Sequence, residues 1–211
     1  MAINFTRANS QYLRSISGVS AVPMTIACWF KIPTWPANMA FVSVGESGGT
    51  HRNELHTSAT RRHATNSTGP LTSSGNATGN NAIPNNIWQH MVGVFESPSL
   101  RKMSVNGGIF AQTSINVGTQ NTLNEITIGA NWSPALGQFF GGDIAEVGVW
   151  NVALTQSECI SLYAGMTCDK VRPQNLVFYA PLVRDLIDAK SGLAITNNNG
   201  ATVANHPRIY P

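Results

Sequence analysis

The sequence predicts an all-β protein, a sandwich of two antiparallel sheets carrying one short helix. Three observations predict it. Charged residues make up only 11% of the 211 residues, while Asn, Thr, Ser and Gly are abundant. That is a composition of turns and polar sheet faces rather than of helices. Short apolar segments alternate with period two between Gly-, Pro- and Asn-rich breaks, as strands do. Finally, Phe139–Gly165 reads as one strand running into a capped helix. A chain of this length buries a sufficient core without disulfides. No fixed repeat is visible, which excludes a solenoid or propeller.

Taken in order, Ile3–Ser17 reads as strand, turn, strand, with the break at Asn9-Ser10. Met24–Ile32 (MTIACWFKI) is the clearest early strand, and Pro33 and Pro36 end it. Phe41–Gly45, Asn53–Thr57 and Arg61–Thr65 are expected strands of a meander. Asn66–Asn86 is polar and of low complexity, and reads either as a polar strand or as an ordered excursion. Ile87–Glu96 and Leu100–Asn106 form a hairpin, with Asn106-Gly107-Gly108 turning the chain onward. Ile109–Val117 and Glu125–Asn131 come next as strands.

The closing segment is the most explicit. Gly141 and Gly142 open it, where the backbone turns tightly or meets a neighbour closely. Ile144, Glu146, Gly148 and Trp150 then alternate with Ala145, Val147 and Val149, the period of a strand with two unlike faces. Thr155-Gln-Ser-Glu158 is a capping box, with Leu154 and Cys159 placed as a hydrophobic staple. Ile160 and Tyr163 share one helical face, and Gly165 is placed to end the helix. Beyond it, LVFYAPLV within Asn175–Asp188 is expected to pack back on the sandwich, because exposed it would invite aggregation. Ile195–Ala204 reads as a small hairpin turning at Asn199-Gly200. His206–Pro211 is extended by its two prolines. The expected division is a sandwich over 1–166 and a strand, hairpin and arm over 167–211.

These residues also resemble a known family. The strand and helix at Gly142, Ile144, Glu146, Val147, Val149, Trp150, Asn151, Ala153, Leu154, Thr155, Glu158, Leu162 and Tyr163 match the closing signature of laminin-G-like, concanavalin A-like sandwich domains. MTIACWFKI resembles that family's early tryptophan strand. Trp88–Gly107, WQHMVGVFESPSLRKMSVNG, is similar to its central hairpin. The resemblance implies a concanavalin A-like jelly roll. It leaves function open among lectins, adhesion modules, glycanases and structural modules. The tail, with Tyr179, Pro181-Leu182, Asn199–Ala204 and His206-Pro207-Arg208, resembles the ending of short laminin-G-like proteins encoded by tailed phages.

Composition narrows the partners. A net charge of +3 is too small to argue for nucleic acid. Met1–Phe5 carries no basic run, and no apolar stretch approaches the ~20 residues of a membrane span, so neither an export signal nor membrane insertion is expected. Cys28 alternates with Ile26 and Phe30 as a core residue. Cys159 and Cys168 could approach each other across the helix end, but three cysteines argue against a disulfide framework.

Candidate chemistry is sparse. Glycanases of the resembled family carry carboxylates at alternating strand positions, which puts acid and nucleophile on one face. Here Asp143 and Glu146 are three apart, expected on opposite faces, and Asp185 and Asp188 lack a third partner. A Ca²⁺ site needs six to eight oxygens. Asn106, Asn131 and Asp143 could contribute to one, or serve as turn and strand-end residues, and Ala145 stands where many Ca²⁺-binding relatives have Asp. No cofactor or metal is therefore expected, nor is enzyme activity. His51, His56 and His63 do not converge as zinc ligands should. With Arg52, Arg61 and Arg62 they could meet an acidic glycan or protein, or form a solvated hairpin edge. Trp35 and Trp132 lie near turns beside amides, as sugar-stacking rings do. For Trp132 the alternatives are loop packing or a protein interface.

The expectation is a non-enzymatic bacteriophage virion protein. It would decorate capsid or tail, and would assemble with itself and other virion proteins. Adhesion to cell-surface glycans through Trp35, Trp132, Arg52, His56, Arg61 and Arg62 is a second role. The arm residues His206, Arg208, Ile209 and Tyr210 would dock on a neighbouring subunit. A free-standing carbohydrate-binding lectin is the alternative, and a glycan hydrolase the weaker third.

Overall fold

The computed structural model describes residues 1–209 except 36–37, 73–74, 133–134 and 184. Its strands are β1 (Ala2–Phe5), β2 (Tyr12–Ile16), β3 (Met24–Lys31), β4 (Ala40–Gly45), β5 (Arg52–Thr57), β6 (Arg62–Thr68), β7 (Gly75–Ala82), β8 (Gln89–Phe95) and β9 (Arg101–Val105). Next come β10 (Ala111–Thr113), β11 (Glu125–Ile128), β12 (Asn131–Trp132), β13 (Leu136–Gly137) and β14 (Gly142–Trp150). Helix α1 (Gln156–Tyr163) precedes β15 (Leu176–Ala180), β16 (Thr196–Asn198) and β17 (Thr202–Ala204).

Two antiparallel sheets face each other. The first runs β10-β9-β8-β3-β14-β1-β17, with β15 pairing the second half of β14, and the second runs β16-β2-β11-β4-β5-β6-β7. Between them lies one apolar core that includes Phe5, Met24, Ile26, Phe30, Phe41 and Ile126. The Phe30 and Phe41 rings stack across the sandwich with centroids 4.1 Å apart. Small residues permit this approach. A Cβ on Gly93 would lie 2.6 Å from Leu55 Cδ2 and 2.8 Å from Thr65 Cγ2, so any side chain there would displace the core residues that β5 and β6 pack against β8.

The outer faces of the two sheets differ, and that difference positions the site. Outside the first sheet a second apolar cluster gathers Ala27, Val92, Val94 and Trp150 under α1 and the segment after it. The capping box forms as expected: Thr155 N–H donates to Glu158 (2.7 Å), and Glu158 N–H donates to the Thr155 hydroxyl. Gly165, at φ +101°, ends the helix. The helix packs through Cys159 and Leu162, while Ile160 and Tyr163 stay partly exposed. Cys28, Cys159 and Cys168 are free and buried. Outside the second sheet no helix packs among the described residues, and the face is polar.

Two expectations are corrected. The first concerns β14, whose alternation breaks at a bulge. Ala145 pairs Trp29 and Gly148 pairs Ala27, so two residues of β14 oppose Cys28 alone. Glu146 occupies the left-handed region at φ +53°. The bulge brings Ile144 onto the core side with Val147 and Val149, and sends Trp150 outward under the helix. Asp143 and Glu146 are thus not held on opposite faces by a regular strand.

The second correction concerns the Ile195–Ala204 hairpin. β16 pairs β2 in the second sheet and β17 pairs β1 in the first, so the two strands do not form a ladder with each other. The N-terminal strands divide in the same way at Ser10 (φ +53°). The two corners are tied together, with Gln11 Nε2 donating to the carbonyls of Asn199 (3.0 Å) and Gly200 (2.9 Å). The tail therefore shadows the first two strands and adds one edge strand to each sheet. The polar stretch expected as strand or excursion resolves into the end of β6 and the edge strand β7. Of the long strand expected over Ile109–Val117, only Ala111–Thr113 pairs.

Candidate functional site: the polar outer face of the second sheet

Alternation along β5 places Leu55 in the core and turns Arg52, Glu54 and His56 to the outer face. Register carries that face across the sheet. Glu54 lies beside Asn66 of β6, and Asn66 beside Asn76 of β7. On the other side Glu54 neighbours Ser43 of β4, then Thr127 of β11, then Arg14 of β2. Glu125 of β11 shares the face, two strands from β5 and therefore about 10 Å away.

Both carboxylates are buried and supplied with donors. Glu54 accepts from Asn131 Nδ2 (2.6 Å) and Asn66 Nδ2 (3.1 Å), and pairs with Arg52 Nε at 3.1 Å. Burial alone would raise the Glu54 carboxyl. Arg52, with His56, Asn131 and Asn66, more than offsets it and holds the group below the usual carboxylate range. Glu125 accepts from the indole Nε1 of Trp132 at 2.6 Å and pairs with Arg14 at 2.5 Å. The His56 ring spans the Thr57 carbonyl (2.8 Å) and the Asn76 side-chain amide (3.2 Å). The result is a preorganised polar floor whose charges are already compensated.

Trp132 belongs to the ribbon of β12 and β13, where it pairs Leu136. It stays half-exposed while its N–H is fixed. Glu125, which holds that N–H, also lines an open cleft of about 410 Å³ with Arg14, Ile16, Thr196 and Leu193. The side chain of Arg14 is 46% exposed and that of Glu125 only 4%. The cation therefore reaches solvent while its partner does not.

The structure brings Trp132, Arg52 and His56 onto this face and leaves the other sequence candidates elsewhere. Arg52 and His56 are buried, so the expected solvated basic edge does not exist as a unit. Arg61 bonds Asn85 at the β5–β6 turn, and Arg62 is exposed at the start of β6. Trp35 sits with Arg7, Asn38 and Gln138 around a separate shallow pocket. In the arm, His206 Nε2 lies 3.1 Å from Glu146 Oε1 of the same chain. Arg208 is exposed and Ile209 half-buried, whereas Tyr210 lies outside the described residues.

Glu54, Glu125 and Arg14 escaped sequence reasoning, and Asn131 was considered only as a Ca²⁺ oxygen. Only the i, i+2, i+4 run of Arg52, Glu54 and His56 carried a local signal. Among the described residues no group of three or more His, Cys, Asp or Glu side chains is arranged to hold a metal ion. The oxygens considered for Ca²⁺ have separate commitments. Asp143 pairs with Lys31 (2.7 Å) and Asn4, Asn131 bonds Glu54, and Asn106 bonds Gln89 and the His90 N–H.

Residues 7–159 match the family model of concanavalin A-like lectin/glucanases. The chain belongs to the concanavalin A-like lectin/glucanases superfamily. No curated protein matches it in sequence. Among solved structures of the same fold is the native heptameric SAP-like pentraxin from Limulus polyphemus. It has TM-score 0.69 and 15% identity, over 95% of this chain and 93% of that one. A putative carbohydrate binding protein from Bacteroides ovatus aligns with TM-score 0.68 and 18% identity, over 95% of this chain, which spans 58% of that protein. The CBM40 of Ruminococcus gnavus IT-sialidase, bound to α2,3 sialyllactose, aligns with TM-score 0.53 and 15% identity over 66% and 82% of the two chains. At such identities the likeness concerns the concanavalin A-like fold alone.

Proposed function

We propose that the protein is a non-enzymatic, glycan-binding decoration module of a bacteriophage particle, assembled as a homo-oligomer. One observation carries the binding half. Trp132 is a half-exposed ring fixed through its N–H to Glu125, a carboxylate that also lines a cleft edged by the exposed guanidinium of Arg14. A fixed aromatic face offers the apolar side of a sugar a surface at low entropic cost, and polar neighbours meet its hydroxyls. The carbohydrate-binding proteins among the solved structures of this fold support the reading.

The same carboxylates argue against hydrolysis. A glycosidase acid needs a raised pKa, whereas Glu54 is held low by Arg52 and its amide donors. Glu125 is committed to Arg14 and Trp132. The phage-like tail motif supports the virion half. Saccharide binding at the Trp132 face of the isolated protein, lost there in Trp132→Ala, tests the first half, and silence across a broad glycan panel would dispose of it. Immunogold electron microscopy on particles tests the second. Label on a regular capsid lattice means decoration and label at the tail tip means adhesion. Absence of label leaves the free-standing lectin.

A further inference from the structure

A second cleft lies away from Trp132, between the open edges of the two sheets. Its origin is a local irregularity. Arg62 pairs Ala82 and Ala64 pairs Thr78, so Gly79, Asn80 and Asn81 of β7 together oppose the single residue His63 of β6. Such bulges re-aim side chains and end regular pairing. Here the bulge leaves a cleft of about 520 Å³ between β7 and β9–β10, within the size range of small-molecule sites.

The lining is of one chemical kind. Asn80, Asn81, Gln89 and Asn106 supply amides, and Met103 with Ile109 supplies an apolar surface. No Asp, Glu, Lys or Arg lines the cleft among the described residues. One wall is fixed in place, because Asn106 Nδ2 donates to Gln89 Oε1 at 3.1 Å and Asn106 Oδ1 accepts from the His90 N–H at 2.8 Å. Asn80 and Asn81, both exposed, stand at the other wall. Between them His63, only 3% exposed, carries an Nε2 without a partner. A buried polar atom left unpaired is costly unless something satisfies it. Burial also pushes the His63 pKa down to about 4, against a smaller upward pull from the Gln89 side chain, so the ring is neutral near pH 7.

We infer that this cleft is a second binding site, built by the β7 bulge over His63, for a neutral saccharide unit. The inference extends the glycan-binding reading above and rests on it for ligand class. Amides both donate and accept, as hydroxyls do, and the Met103–Ile109 surface suits the apolar side of a pyranose. A carboxylate or sulfate buried here would find no counter-charge, which penalises acidic sugars. The other cleft presents Arg14, a cation that Glu125 pairs on its buried side and solvent reaches on the other, so an acidic ligand is penalised less there than here.

The test is ¹H–¹⁵N NMR titration of the full chain with lactose, maltose and cellobiose, and with glucuronate and N-acetylneuraminate as acidic probes. A neutral disaccharide is expected to shift the backbone amides of Gly79–Asn81 and Ala111, and the two acids are not. Replacing both wall amides (Asn80→Ala with Asn81→Ala) should weaken that binding about tenfold or more. The inference is overturned by neutral sugars that shift only amides around Trp132, by acids that bind the cleft equally well, or by wild-type affinity in the double variant. Loss of the Trp132-face response alone would instead count against the proposed function and leave this cleft standing.

Discussion

Trp132 donates its indole N–H to Glu125 at 2.6 Å, and Arg14 holds the same carboxylate at 2.5 Å. One buried anion thus fixes both the ring and the cation that edge the candidate site. The pair makes the ring's orientation a property of Glu125. Glu125→Ala should reduce saccharide affinity several-fold although residue 125 itself is almost inaccessible. It should also red-shift and broaden Trp132 fluorescence, read as the difference from the same protein carrying Trp132→Phe. Stability should fall by about 1–2 kcal/mol, since Arg14 can turn to water. Unchanged affinity would mean that the ring is oriented by its ribbon rather than by the carboxylate.

The buried histidines give stability a defined acid limb. Burial lowers His63 to about 4 and His90 to about 3, from an ordinary 6.5. Above pH 6.5 both rings are neutral folded or unfolded and contribute no pH dependence. As pH falls below 6.5 the unfolded chain takes up protons that the folded protein refuses, so stability declines towards pH 4 and then towards pH 3. Chemical denaturation across this range should show the decline. His90→Phe should flatten its lower part, because the tilted ring contact with Trp29 at 5.0 Å is kept and the titration removed.

Glu54 acts in the same direction at lower pH. Its depressed carboxyl contributes stability above the ordinary value of 4.5, and that contribution is lost as pH falls through the folded-state value. Glu54→Gln should therefore cost about 3 kcal/mol at neutral pH, since it leaves Arg52 buried without its counter-charge. It should cost markedly less in acid. Denaturation midpoints of the two proteins that stay parallel at every pH would refute this assignment.

The legibility of the chain tracks the range of the forces involved. The strand and helix of 142–163 were legible because alternation, capping box and terminal glycine all act within a few residues. The bulge at Glu146 was not, since a glutamate at positive φ has no sequence mark. The Asn199-Gly200 turn was visible, but its flanking strands pair with β1 and β2, nearly the whole chain away, and local pattern favoured a hairpin. Arg52 and His56 were singled out for their charge. Glu54, which organises them, is recognisable as a site residue only through Asn131, 77 residues distant.

Gly148 tests the second apolar cluster. A Cβ there would lie 2.6 Å from Trp150 Cη2 and 2.7 Å from Cys168 Sγ, both buried and closely packed. Gly148→Ala should destabilise by about 1–3 kcal/mol through overpacking. The damage should be confined to α1 and residues 167–180, and visible as faster amide exchange there but not in the second sheet. Equal loss of protection in both sheets would show that the two clusters unfold as one unit.

At the C-terminal arm, the buried Glu146 gives one carboxylate oxygen to the Tyr179 hydroxyl at 2.6 Å and holds the other 3.1 Å from His206 Nε2. Upstream, β17 pairs β1 through Ala204 and Ala2, so the contact at residue 206 is the next anchor along the chain. His206→Ala should leave the β1–β17 pairing intact and release residues 205–211. Carboxypeptidase digestion read by mass spectrometry should then trim the variant back towards Ala204 under conditions where the wild type resists. If the arm docks on a neighbouring subunit, a chain ending at Ala204 should keep its far-ultraviolet circular dichroism and yet fail to enter particles. Normal incorporation of that truncated chain would assign the arm to stabilising its own sandwich through Glu146 and to nothing beyond it.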